Sequence, residues 1–72
     1  MKVTYTKVDG KIFSIYTEKL STIEALIQDA NIKQIECFFV TQREKQTLCK
    51  FFEKKYLVQN LEFMRSVKVY KK

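Results

Sequence analysis

Residues 2–8 alternate, with Val3 and Tyr5 set against Thr4 and Thr6. That pattern predicts a half-buried strand. A second apolar run from Lys11 to Thr17 carries Ile12, Phe13, Ile15 and Tyr16. Between them stands Asp9-Gly10, which predicts a hairpin closed by a two-residue type I′ turn, since such a turn needs positive φ at both positions. The second strand is apolar on both sides, so its facing stays open.

The period changes after Thr17. Ser21-Thr22-Ile23-Glu24 has the form of a capping box, in which hydroxyl and carboxylate each satisfy an orphan amide. Ile23, Leu26, Ile27 and Ala30 follow at helical spacing and predict a helix over 21–31, with Asn31 as a left-handed stop. Residues 32–40 predict a strand with Ile35, Cys37 and Phe39 inward and Gln34, Glu36 and Phe38 outward. A second capping box, Thr41-Gln42-Arg43-Glu44, predicts a longer helix from 42 to about 58, with Gln59-Asn60 as its exit. Residues 61–70 alternate again: Leu61, Phe63, Val67 and Val69 inward, Glu62, Met64, Ser66, Lys68 and Tyr70 outward.

The order β-β-α-β-α-β predicts a small α+β fold, a mixed four-stranded sheet with two helices on one face as a two-layer sandwich. The long continuous apolar strands of a three-layer fold are absent. A winged helix would need a third helix and a wing after the recognition helix, and here the hairpin comes first. The 72 residues amount to a single basic α+β domain, 1–72.

Charge sharpens this picture. The net charge is +6, yet residues 1–36 carry five lysines against five acids, while residues 37–72 carry nine Lys or Arg against three. The whole excess lies in the second half, which points to an acidic partner met by one part of the fold. On the longer helix, Leu48, Cys49, Phe51, Phe52 and Tyr56 share one face. Arg43, Lys50 and Lys54 share the opposite strip, with Thr47 beside them as a hydroxyl donor and Glu53 placed to pair with Lys50. Lys68, Lys71 and Lys72 reinforce the strip if the fold brings them near it. The outward side of the strands offers Phe38, Met64 and Tyr70 as an interface for bases, for a protein, or for a second copy as a homodimer.

Catalytic chemistry finds little support. The chain has no histidine, the commonest general base and metal ligand. Cys37 and Cys49 lack further Cys or His partners for a zinc site, so no metal or cofactor is expected. Both read as free thiols, with Cys37 in the core. Glu24, Glu44 and Asp9 have capping or turn roles, and one glycine cannot build a phosphate loop. The longest apolar run, Cys37 to Val40, is far below the ~20 residues of a membrane helix. The N-terminus lacks the apolar core of a signal peptide, which makes the cytoplasm the expected location and a membrane partner unexpected.

Two functions remain. The first is a non-enzymatic module that binds nucleic-acid phosphates through Arg43, Thr47, Lys50, Lys54, Lys68, Lys71 and Lys72. The second is a small protein-interaction or inhibitor protein, of the accessory type that phages and mobile elements carry, that binds a host nucleic-acid-handling complex.

Overall fold

A computed structural model describes residues 1–60 and 63–71. The elements are β1 (Lys2–Lys7), β2 (Ile12–Tyr16), α1 (Leu20–Gln28), β3 (Ile32–Phe38), α2 (Gln42–Phe52), β4 (Leu57–Gln59) and β5 (Ser66–Tyr70). The strands form one five-stranded sheet in the order β2-β1-β3-β5-β4, and every neighbouring pair is antiparallel. The expected sheet of four mixed strands is thus corrected on both counts. The connections β2–α1–β3 and β3–α2–β4 each link strands running the same way but skip one place, and β1 and β5 fill the gaps in the opposite direction. Both crossovers advance in the same sense across the sheet. A common handedness therefore puts both helices on one face, with α1 over β3 and α2 over β4 and β5.

That face carries the core. Val3, Ile35, Cys37, Val67 and Val69 from the strands meet Ile23 and Ile27 of α1 and Leu48 and Phe52 of α2 in one buried cluster. Residues directly opposed in an antiparallel pair share a face. The registers Val3↔Cys37, Cys37↔Val67 and Ile35↔Val69 therefore align the inward positions of three strands.

The fifth strand comes from the region expected to be helix. α2 stops at Phe52, where the Lys55 and Tyr56 amides both donate to the Phe52 carbonyl, at 3.2 and 3.0 Å. The chain then turns, and Leu57–Gln59 pairs with Lys68–Tyr70. Val58, opposite Val69, packs against the core, a position that a β-branched residue fills well in a sheet. The last strand starts only at Ser66. Phe63, expected inward, lies in a turn and is 85% exposed, while Leu61 and Glu62 lie outside the described residues.

The two capping boxes part company. At α2, the Glu44 amide donates to Thr41 Oγ1 at 3.2 Å, and the Thr41 and Val40 amides donate to Glu44 Oε1 at 3.2 and 3.0 Å. These amides hold the Glu44 carboxyl below its ordinary range. Its contribution is present at neutral pH and is lost as pH falls through the lowered pKa. At α1 the cap is Lys19, two residues before Ser21, with no side-chain hydrogen bond, because half-buried Leu20 packs on the core and is taken into the helix. Glu24 is then too deep in the helix to reach back. Nor is Asn31 left-handed, for among the described residues only Gly10 has positive φ. Instead the Asn31 amide donates to Asp29 Oδ1 at 2.8 Å. Thr41→Ala should cost about 1 kcal/mol, a drop in Tm of roughly 4–8 °C, whereas Ser21→Ala should leave Tm unchanged or raised, since alanine is the better helix former. Thermal melts by circular dichroism decide; equal losses from both would mean that the Thr41 box contributes nothing of its own.

The hairpin also departs from expectation. Gly10 (φ 93) ends a three-residue loop, with the Gly10 amide donating to the Lys7 carbonyl at 2.9 Å and the Lys7 amide to the Lys11 carbonyl at 2.8 Å. That is the loop closed by a left-handed glycine bulge. A two-residue turn would have paired Val8 with Lys11. The observed register is Val3↔Ile15 and Tyr5↔Phe13, which turns Ile12, Ser14 and Tyr16 to the other face.

Candidate functional site

The outer side of α2 follows from its amphipathic spacing. Leu48 and Phe52 are buried, and Arg43, Thr47 and Lys50 are exposed. Lys54, expected on the same helix, instead sits in the turn after it and is also exposed. The helical ridge is therefore shorter than predicted, with one cation carried past its end. The Thr47 hydroxyl donates to the Arg43 carbonyl at 2.9 Å; its hydrogen is spent on the helix, and the expected donor is in fact only an acceptor. Among the described residues the one ion pair joins the Met1 ammonium to Glu18, so Arg43, Lys50 and Lys54 have no carboxylate at ion-pair distance and the expected Glu53–Lys50 pair is not formed. Glu44 is turned into its cap. Arg43 and Thr47 also wall a groove of about 270 Å³ floored by Leu20 and Leu48, with Met1 and Glu18 on the far side.

The structure does not bring the C-terminal lysines to this ridge. Lys68 lies on the helix-free face of the sheet, directly across from Glu36, whose Oε2 accepts the Ser66 hydroxyl at 2.5 Å. Lys71 Nζ donates to the Asp29 carbonyl at the C-terminal end of α1, where a cation complements the helix dipole. It shares a cleft with Lys55, Ile27 and Tyr56, and no spacing along the chain groups Lys55 with it. Lys72 lies outside the described residues.

The helix-free face is the second candidate. It presents Lys2, Tyr16 and Phe38 in one row, Thr4, Ser14 and Glu36 in the next, and Leu57 beside Tyr70. Phe38 (37% exposed) and Tyr70 are where the sequence put them. Met64 is not, for it precedes β5 and lines a shallow groove with Phe39, Val40 and Phe63. Tyr16 (79%), whose side the two-sided pattern of the second strand left open, is exposed here, as are Ile12 (65%) and Leu57 (55%), which the sequence did not single out; the hairpin register and the fifth strand place them. Lys2 Nζ stands 5.8 Å from the Phe38 ring centroid, and the Tyr70 hydroxyl donates to Gln59 Oε1 at 3.1 Å.

The thiols are both free. Burial, with the Glu36 carboxylate adding to it, pushes the Cys37 thiol up to about 12. Partial burial raises Cys49 as well. Cys37 therefore holds far less thiolate at neutral pH than an ordinary cysteine. Iodoacetamide on the folded protein should modify Cys49 slowly and Cys37 only on unfolding, as read by mass spectrometry. Fast modification of Cys37 would contradict its placement. Among the described residues no group of three or more Cys, Asp or Glu assembles to hold a metal ion, and no helix is long and apolar enough to cross a membrane. No protein-family model, curated protein or solved structure matches this chain.

Proposed function

We propose that this chain is a non-enzymatic binding module that contacts nucleic-acid phosphates through Arg43, Lys50 and Lys54. One observation carries the reading: these cations stand exposed along one side of α2 and its exit turn, with no carboxylate partner among the described residues. Phosphate contact needs only such a patch. Lys68, on the other face of the sheet, and Lys71, bonded to the Asp29 carbonyl, add to the field rather than to the contact. Fluorescence anisotropy with labelled single- and double-stranded oligonucleotides over a salt series tests it. Binding should tighten steeply as salt falls and vary little with sequence, since phosphates position a protein without specifying bases. Absence of binding at moderate salt would end the reading.

A second reading rests on the sheet face, whose exposed Tyr16, Ile12, Leu57 and Phe38 suit a protein partner. Here the protein would be a small interaction or inhibitor protein acting on a nucleic-acid-handling complex. Capture from lysate with and without nuclease separates the two. Nuclease-sensitive capture supports the ridge; a nuclease-resistant band lost with Tyr16→Ala but kept with Lys50→Gln supports the sheet.

A further inference from the structure

The edge strand β2 is open in an unusual way. From Ile12 to Thr17 it has no charge and no proline, the devices that ordinarily blunt a sheet edge. Four of its five residues are exposed, including Ile12, Phe13 and Tyr16. The opposite edge, β4, has only three residues.

Backbone parity shows what this edge offers. Thr17 and Met1 exchange both of their hydrogen bonds at 3.0 Å, and the Lys7 amide donates to the Lys11 carbonyl at 2.8 Å. Odd-numbered residues of β2 therefore bond to β1, as alternation in an antiparallel ladder requires. Ile12, Ser14 and Tyr16 point their amides and carbonyls away from the sheet.

We infer that β2 is the seam of a two-fold homodimer, in which β2 of one copy pairs antiparallel with β2 of a second about Ser14. The sequence is self-complementary in that register. Ser14 meets Ser14 of the second copy, and Ile12 meets Tyr16, so every outward-bonding residue faces another and each pair exchanges both of its hydrogen bonds. On the helix side Phe13, already stacked on Tyr5 at 5.6 Å, meets Ile15. Charge selects the direction. Lys11 flanks the apolar run at one end and Glu18 at the other, so antiparallel pairing brings Lys11 toward the second copy's Glu18, a carboxylate that also holds its own Met1 ammonium. Parallel pairing would set like charges together. The seam lies apart from the α2 ridge and stands whether or not that ridge binds nucleic acid.

Sedimentation equilibrium on nuclease-treated protein over a concentration series tests this. The wild type should form a dimer. Ser14→Pro removes an amide that the fold does not use and should raise the dimer Kd by at least about tenfold, with an unchanged circular dichroism spectrum. If Ser14→Pro fails to fold, Tyr16→Lys, at an exposed side chain, takes its place and should do the same. Ser14→Cys should form an intermolecular disulfide under mild oxidation, because bonded pairs bring Cα atoms to about 5.5 Å, while Ser21→Cys on α1 should not. A wild type that stays monomeric at NMR concentrations would overturn the seam. So would a dimer that survives these substitutions, or one that leaves the Ser14→Cys thiols unlinked.

Discussion

Replacing Phe52 by alanine should remove roughly 3–5 kcal/mol of folding stability, read by urea denaturation. Phe52 is the largest fully buried side chain. Its ring packs edge-to-face with those of Phe51 and Tyr56 at centroid distances of 4.9 and 5.9 Å, and it sits where α2 ends and the chain turns back toward β4. Its loss opens a cavity whose walls come from different elements, so little relaxation can fill it. A domain of this size holds only about 4–11 kcal/mol in total, and the variant should be partly unfolded at 37 °C. Leu26→Ala is the graded control. Leu26 is only half-buried at the edge of the cluster, and its truncation should cost about half as much or less. An unchanged denaturation midpoint for Phe52→Ala would mean that α2 presents another face to the sheet.

Changing Arg43, Lys50 and Lys54 together to Gln should weaken nucleic-acid binding roughly a hundredfold near 0.1 M salt. Each phosphate contact contributes about 0.7–0.9 to the slope of log K against log salt, so losing three should flatten it by about 2–3. All three side chains are exposed, and the melting temperature should hold. The control is Lys2, Lys7 and Lys11 to Gln, which removes the same charge from the hairpin. Two of these lysines lie over the Phe38 and Phe13 rings, contacts worth only about 0.5–1 kcal/mol at exposed sites. A slope that falls equally for both triples would show that net charge alone matters and would dissolve the ridge as a site.

What could be read from the sequence was whatever depended on period within one element. The alternation of Ile35 and Cys37, the inward Val67 and Val69, and Leu48 and Phe52 of the α2 stripe are buried as their spacing requires, whereas Phe51, expected on the same stripe, is exposed at its margin and Tyr56 lies past the helix end. The Thr41 box, whose partners lie three residues apart, also forms as its spacing requires. What could not be read depended on a count of one residue or on a distant partner. A single extra loop residue at Gly10 reverses the facing of β2 and exposes Ile12 and Tyr16. Leu57–Gln59 continues a helical pattern in sequence, and only the presence of β5 beside it makes a strand the better solution. The same held for the site. The ridge follows from spacing along α2, and alternation already set Lys68 outward on the sheet, whereas the docking of Lys71 on the Asp29 carbonyl at the end of α1 depends on a contact between distant parts of the chain that no spacing encodes.

The strand order has a consequence for how the chain acquires its shape. β5 is the last of the five strands to be synthesised, yet it lies inside the sheet between β3 and β4. The segment β1–β2–α1–β3 can assemble first, since β1 finds both of its neighbours, β2 and β3, without later residues. Until β5 arrives, β3 keeps an unpaired edge, β4 has no neighbour, and α2 lacks the Val67 and Val69 floor beneath it. The second half must therefore close by insertion rather than by growth at a margin, and the interval before insertion is when the nascent chain is most open to mispairing and to capture by chaperones.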